Sequence, residues 1–327
     1  MGKFNVLLFE PVHQCGLDHL KKNDCNILWS EGFETKQILA AVVNADAILA
    51  RAQGSINGEI MDGAPKLKVI GRHGIGVDNI DVPAASLHGI HVVNTPQAPV
   101  EAVAEYVVMS LIALPRRLSQ ADRATRTGDW GFRNRVHAPE LLNKTLGIIG
   151  FGRIGRRIAE ICALGFGMQV VYADAFPAPL EEEKRLRVHR IEINELLSIS
   201  DYISLNVPLL DNTYHLLNKD AFARMKSNAI VVNCSRGPVI DETALLEALQ
   251  SGQIAGAVID VFEQEPVAIN NPLLTLDNVL VSPHYSGHSQ ESAQKMAMVA
   301  ADIVRVLNGH KPECPVNTPP TPRQVVV

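Results

Sequence analysis

The sequence predicts an α/β protein built on two parallel sheets, and three features carry that prediction. Short apolar runs of strand length alternate with amphipathic segments along most of the 327 residues. These runs fall into two groups separated by one long apolar stretch with helical character. The first run of the second group ends in Gly-x-Gly-x-x-Gly and passes straight into a helical pattern. With 46% apolar and 20% charged residues, the composition is that of an ordinary globular chain, long enough for two domains that each bury a core.

The first group holds "FNVLLF" (4–9), "CNILW" (25–29), "ADAILA" (45–50), "LKVIG" (67–71) and "IHVVN" (90–94). Five short strands make a small domain. "VEAVAEYVVMSLIALPRRL" follows, and its unbroken apolar content over 100–114 predicts one long buried helix linking two domains. The second group is "TLGIIG" (145–150), "QVVYA" (169–173), "YISLNV" (202–207), "AIVVN" (229–233), "GAVIDV" (256–261) and "NVLVS" (278–282), which predicts a larger sheet of six strands. Beyond it, "QESAQKMAMVAADIVRVLNG" puts Ala293, Met296, Ala297, Ala300, Val304 and Leu307 on one face of a single helix, capped by Gly309 and expected to cross back to the first domain. The Pro-rich tail "KPECPVNTPPTPRQVVV" reads as extended or disordered chain.

Charge narrows the function classes. A net charge of −5 without any basic block offers no bulk attraction to nucleic acid or to an anionic membrane, so any anionic partner must be captured locally. The five cysteines (Cys15, Cys25, Cys162, Cys234, Cys314) are scattered, with neither metal-ligand spacing nor disulfide density, and read as reduced thiols with no metal bound. "MGKFNVLLFEP" lacks the pattern of a signal peptide, and no apolar stretch reaches the ~20 residues of a membrane span. A soluble, cytoplasmic protein is the expectation.

The strongest local motif is Gly150-Phe151-Gly152-Arg153-Ile154-Gly155, between the strand "LGIIG" and the helical "RIGRRIAEICALG". Gly150 permits the tight turn, Gly152 lets backbone approach a pyrophosphate, and Gly155 lets helix and strand pack closely. The helix start adds unpaired N–H groups and a positive dipole end. Roughly twenty residues on, "QVVYAD" delivers Asp174, a carboxylate placed to accept from adenosine ribose hydroxyls, which favours NAD over NADP. The plainer alternative is a glycine turn that only packs a helix; strand, turn, helix and acid in the required order speak against it.

Three further polar groups stand where later strands end: Arg236 after "AIVVNCS", Asp260 with Glu265 in "VIDVFEQEP", and His284 after "NVLVSP". In an open α/β sheet such ends border the ligand crevice. A guanidinium offers a planar two-donor fork to a carboxylate, and an imidazole exchanges a proton near neutral pH, with Glu265 to hold it. Taken singly, each has a bland reading: a surface ion pair, a solvated acid before Pro266, a core histidine.

These motifs together resemble the D-isomer-specific 2-hydroxyacid dehydrogenase family: "GRHGIGVDNID" (71–81), "VVNTP" (92–96), "AVAEYVV" (102–108), "LGIIGFGRIGRRIA" (146–159), "NCSRGPVIDETALLEAL" (233–249), "DVFEQEP" (260–266) and "VSPH" (281–284). The resemblance implies a Rossmann nucleotide-binding domain over 98–285, inserted into a smaller flavodoxin-like domain made of 1–97 and 286–327. It implies an NAD-dependent oxidoreductase in which Arg236 binds the substrate's carboxylate and carbonyl oxygen, His284 is the acid/base, and Glu265 orients His284 and favours its charged form. Cofactor contacts are implied for Arg153, Ile154, Asp174, Val207, Pro208, Thr213, Cys234, Ser235, Arg236, Asp260, His284 and Gly287. The backbone of His73, Gly74, Ile75 and Gly76, with Asn94, is implied to grip the substrate carboxylate, and the family expectation is a homodimer through the nucleotide domains.

Within the family the chain looks most like the phosphoglycerate dehydrogenase branch, through "GRHGIGVDNIDV" and "NTPQAPVEAVAE". That branch holds a substrate phosphate with arginines, and Arg51 and Arg72 stand at matching places, with Arg133 or Arg135 available from "WGFRNRV". Ala52 follows Arg51 where that pattern has serine, the usual "GxNS" run is missing, and a regulatory domain is not expected. A solvated basic face is the other reading of these arginines. Phosphoglycerate, hydroxypyruvate, glyoxylate and a sulfonated analogue all stay open as substrates. The family also resembles NAD-binding transcriptional corepressors, which makes a non-turnover binding protein the alternative; Glu265 disfavours formate dehydrogenase, which carries glutamine there. His288, in "SGHSQES", reads as a helix-cap or supporting residue.

Overall fold

The structure, a computed structural model, describes residues 2–323. Its chain divides into two compact units, Met1–Pro99 with His288–Val327, and Val100–Gly287. The divisions fall two residues beyond each expected boundary, so Gly287 closes the second unit and His288 opens the return to the first.

The first unit runs β1 (Phe4–Leu8), α1 (Gln14–Lys22), β2 (Cys25–Trp29), α2 (Thr35–Val42), β3 (Ala47–Ala50), α3 (Gly58–Asp62), β4 (Val69–Arg72), α4 (Val82–Leu87) and β5 (His91–Asn94). The strands are all parallel, in the order β2-β1-β3-β4-β5. The central strands β1, β3 and β4 are buried almost throughout and so are mostly apolar, which is why they read as apolar runs. One face packs Ile38, Ile48, Ile60 and Ile70; the other packs Leu20, Val69, Ile303 and Leu307. At about 1.5–3 kcal/mol for each large apolar side chain fully removed from water, these two layers hold the sheet.

The second unit begins with α5 (Val100–Ala113), the expected long apolar helix, and α6 (Leu118–Arg126). Then come β6 (Thr145–Ile149), α7 (Arg153–Glu160), β7 (Gln169–Ala173), α8 (Leu180–Leu186), β8 (Val188–Arg190), α9 (Ile193–Ile199), β9 (Tyr202–Leu205), α10 (Lys219–Arg224), β10 (Ile230–Asn233), α11 (Glu242–Gln250), β11 (Gly256–Ile259) and β12 (Val279–Val281). The sheet order is β12-β11-β10-β9-β6-β7-β8, all parallel. Chain direction across the sheet reverses between β6 and β9, so the crevice of a doubly wound fold opens at their C-terminal ends. Two α/β domains with parallel sheets, a Rossmann-type fold and a flavodoxin-like one, are the architecture the sequence predicted.

Three expectations change. The second sheet has seven strands, not six: β8 is the three-residue edge segment Val-His-Arg, buried only at Val188, so it carries no apolar run. The single C-terminal helix is two, α12 (Gln290–Ala297) and α13 (Val299–Leu307), broken at the exposed Met298, whose N–H bonds to the Lys295 carbonyl instead of continuing the α ladder. Both belong to the first unit. The Pro-rich tail is ordered through Arg323: Val316 donates to the Val92 carbonyl and Asn317 to that of Ile90, while Arg323 reaches the carbonyls of His88 and Ala64. Residues 324–327 of that tail lie outside the described residues. Among the described residues no helix is long and apolar enough to cross a membrane.

Candidate active site

The glycine turn sits at the β6/β9 switch point. Gly150 has φ +92, and a side chain there would meet the Asn206 carbonyl carbon at 2.6 Å, so only glycine makes this turn. A Cβ on Gly155 would lie 2.3 Å from the Gly150 carbonyl oxygen, which lets α7 start tight against β6. A Cβ on Gly152 would meet nothing within 4 Å, leaving backbone open to an approaching ligand. Arg153 and Ile154 open α7. Asp174, just past β7, accepts from the Phe151 amide at 2.6 Å and the Phe176 amide at 2.8 Å, which fastens the carboxylate beside the turn. An open backbone cradle at a helix start with an acid fixed beside it fits a dinucleotide. On the far side of the switch point, Val207 and Pro208 lead into a loop closed by Thr213, whose hydroxyl donates to the Pro208 carbonyl at 2.7 Å and accepts from the Leu210 amide.

Arg236 is positioned by Asn233, the buried last residue of β10. Its side-chain amide donates to the Arg236 carbonyl at 2.9 Å, and its oxygen accepts from both the amide and hydroxyl of Ser235. Gly237 then lies flat on the next loop, where a Cβ would fall 1.9 Å from the Phe262 carbonyl carbon. The Arg236 guanidinium, partly exposed, donates to the Ser235 carbonyl at 2.7 Å. Burial, reinforced by the nearby Asp260 charge, pushes the Cys234 thiol well above the ordinary value despite a hydrogen bond with Ser286, which disfavours a thiolate there.

His284 takes a left-handed backbone, φ +51, which costs a non-glycine residue about 1 kcal/mol or more and must be held by its surroundings. Asp260 does the holding. Fully buried, it accepts from the Tyr285 amide at 2.7 Å, the Ser286 amide at 2.8 Å and the Ser282 hydroxyl, while its own carbonyl accepts from the His284 amide at 2.7 Å. Tyr106 on α5 extends the chain to Ser282 at 2.6 Å. The ring that this loop projects meets Glu265, with Nδ1 2.8 Å from Oε2, and Glu265 Oε1 accepts from the Phe262 amide. Burial opposes ionisation of Glu265, but the hydrogen bond and charge of His284, the Phe262 amide and Arg236 together outweigh it and hold the carboxyl below its usual range. An ionised Glu265 fixes the proton on Nδ1 and leaves Nε2 for exchange.

Thus Glu265 and His284 are in direct contact, and Arg236 is near enough to Glu265 to bias its charge. Asp260, Thr213 and Ser235 use their side chains to shape loops. Asn233, Tyr106 and Ser282 were not singled out from sequence; a polar residue closing an apolar strand, as Asn233 does, is the signal that was available.

In the first unit, Arg51 follows β3 and Arg72 ends β4. Arg51 donates to the Pro11 carbonyl at 2.8 Å and Arg72 to the carbonyl of His73. Burial first, then the charges of Arg51 and Arg72, lower the His73 pKa to about 4, so its imidazole is neutral at pH 7. Asn94 donates to the Ile75 carbonyl and Thr95 accepts from the Gly74 amide, so both brace the loop; among the described residues the amides of Ile75 and Gly76 make no hydrogen bond. Arg133 and Arg135 lie in the 3₁₀ turn Trp130–Asn134 and just after it, where Arg135 pairs with Asp129. His288 precedes Ser289, the N-cap of α12.

Residues 108–286 match the family model described as "D-isomer specific 2-hydroxyacid dehydrogenase, NAD binding domain". Among curated proteins, D-3-phosphoglycerate dehydrogenase of Methanocaldococcus jannaschii is 42% identical over 98% of this chain but 60% of its own length. The chain therefore spans about three fifths of that relative. Glyoxylate reductase of Korarchaeum cryptofilum is 38% identical over 96% of both chains. Among solved structures, the holo form of D-mandelate dehydrogenase from Rhodotorula graminis superposes with a TM-score of 0.89 at 29% identity, covering 99% of this chain and 100% of that one. The second unit is an NAD-binding domain, and the chain belongs to the D-isomer-specific 2-hydroxyacid dehydrogenase family.

Proposed function

We propose that this protein is an NAD-dependent oxidoreductase that interconverts a D-2-hydroxy acid and its 2-oxo acid. The observation that carries the reading is the Glu265–His284 pair, with Nδ1 and Oε2 2.8 Å apart, beside a guanidinium at the end of β10. Arg236 binds the substrate carboxylate and the neighbouring carbonyl oxygen through its planar fork. His284 exchanges the Nε2 proton with the oxygen on C2, and Glu265 keeps the ring oriented and the imidazolium neutralised. Bound NAD supplies or accepts the hydride. Gly150, Gly152, Arg153, Ile154 and Gly155 hold its pyrophosphate, and Asp174 the adenosine ribose, where the carboxylate repels a 2′-phosphate. Val207, Pro208, Thr213, Cys234, Ser235, Asp260 and Gly287 shape the rest of that cofactor site.

Arg51, Arg72, and the backbone amides of Ile75 and Gly76 are the candidates for the substrate's anionic groups. A small 2-oxo acid such as glyoxylate or hydroxypyruvate, or a phosphorylated or sulfonated one such as the 3-phosphoglycerate pair, would use them. We place the protein in the cytoplasm and as a homodimer through its nucleotide domains, following the family. A panel of 2-oxo acids with NADH and with NADPH tests the reading. NADH-linked turnover of at least one is expected, with NADPH much poorer; tight NADH binding without turnover of any member would favour the binding-protein alternative.

A further inference from the structure

Asp174, just past β7, has a charged neighbour that the sequence did not single out. Arg190, the last residue of β8, reaches across to it: Nε and Nη2 donate to the Asp174 carbonyl at 3.2 and 2.9 Å. We propose that Arg190 is a second determinant of cofactor choice, a guanidinium placed to take the 2′-phosphate of NADP(H), so that the preference for NAD(H) hangs on the Asp174 carboxylate alone. This rests on the reading that Asp174 holds the adenosine ribose of the cofactor.

The placement follows from the sheet. β7 and β8 pair in parallel with Tyr172 opposite Arg190, so the arginine lies level with the strand end and its side chain folds forward onto the residue that follows. The Asp174 carbonyl and carboxylate belong to one residue, which puts the guanidinium within a side chain's length of the ribose subsite. In dinucleotide-binding folds an acid at this point accepts from the 2′-hydroxyl, whereas a nearby arginine accommodates a 2′-phosphate; this chain has both.

The charge of Arg190 is also uncommitted. It is exposed, and among the described residues no carboxylate pairs with it and its Nη1 makes no hydrogen bond. Asp174 does not swing onto it, because its two carboxylate oxygens accept from the Phe151 and Phe176 amides. The acids of α8 are engaged elsewhere: Glu181 with Lys184, Glu182 with Arg156 and Arg185, and Glu183 with the Tyr172 hydroxyl at 2.6 Å. Ala175, Phe176 and Pro177, which follow the acid, bring no donor side chain, so a grip on a 2′-phosphate falls to a residue outside that loop. A guanidinium with free N–H groups suits a phosphate in charge and in shape.

Calorimetric titration of the full chain with adenosine 2′,5′-bisphosphate and with 5′-AMP, which differ only in the 2′-phosphate, tests the assignment. Asp174→Ser should raise affinity for the bisphosphate relative to 5′-AMP by about 10-fold or more, and adding Arg190→Gln should remove most of that gain. Arg190→Gln alone, which leaves the Asp174 carboxylate on its two amides, should weaken the bisphosphate relative to 5′-AMP by about 3-fold or more. Titrations with NADPH and NADH should follow the same order. A gain in Asp174→Ser that survives Arg190→Gln, or an Arg190→Gln protein that loses both nucleotides equally, overturns the proposal and leaves the arginine a brace for the loop. An Asp174→Ser protein whose preference between the two nucleotides matches wild type overturns the ribose reading of Asp174, and the proposal with it.

Discussion

At Arg236 the geometry of the charge matters as much as its sign. Lysine would keep the charge and lose the two parallel donors, so Arg236→Lys should raise KM and lower kcat for 2-oxo acids by about 10-fold or more each. Titrating oxamate, an unreactive analogue, into the NADH complex isolates the contact; equal oxamate affinity in both proteins would make the arginine structural. Glu265 acts one bond further back. In the proposed reaction His284 gives a proton to the substrate during reduction, and the Glu265 carboxylate lies 2.8 Å from its Nδ1. Glu265→Gln should therefore shift the alkaline limb of reductive kcat/KM to lower pH, and a limb that stays in place would remove Glu265 from this role. The charged residues could be read from sequence because each follows an apolar strand. The neutral supports could not: nothing local says that the amide of Asn233 folds back onto the Arg236 carbonyl, or that Asp260 spends its carboxylate on the amides of 285 and 286.

Among the elements, strands with a β-branched run were readable because burial on both faces demands apolar residues. β8 escaped because an edge strand needs no such run, and Val188 is its one buried residue. The break at Met298 escaped because the apolar period continues through it; the helix changes course by hydrogen bonding, which composition does not encode. The tail escaped for a related reason: Asn317 pairs with the backbone of Val92 and Ile90, residues remote in sequence. The 3₁₀ turn Gly237–Val239 is a place where one element has no freedom. A methyl at Gly237 would sit 1.9 Å from the Phe262 backbone. Backbone cannot yield cheaply, so Gly237→Ala should destabilise the second unit by about 3 kcal/mol or more and lower Arg236-dependent turnover. An unfolding free energy within about 0.5 kcal/mol of wild type would show that the two loops separate easily.

For the molecule as a whole, the arginine-lined loop of the first unit should be visible in acid stability. The folded His73 pKa, lowered to about 4 from the ordinary 6.5 of a histidine, means that below pH 6.5 the unfolded chain takes up a proton the folded chain refuses. Stability from this group is complete above pH 6.5 and drains away as pH falls towards 4, by about 3 kcal/mol at most. His73→Gln should flatten that part of the stability curve relative to wild type; parallel curves between pH 7 and 4.5 would show that neither burial nor the charges of Arg51 and Arg72 hold the imidazole neutral.

The two-domain α/β plan and the family were readable from motifs that recur at strand ends, whereas the substrate was not, since Arg51 after β3 and Arg72 at the end of β4 are donors that suit several anions. Hydride transfer with His284 as the acid/base is most directly tested by one paired measurement, NADH oxidation against 2-oxo acids beside NADH binding, in wild type and His284→Ala. Turnover should fall roughly 10²-fold or more in the variant while NADH affinity stays within about 2-fold. A variant that turns over at the wild-type rate, or a wild type that binds NADH and reduces no 2-oxo acid, would contradict it.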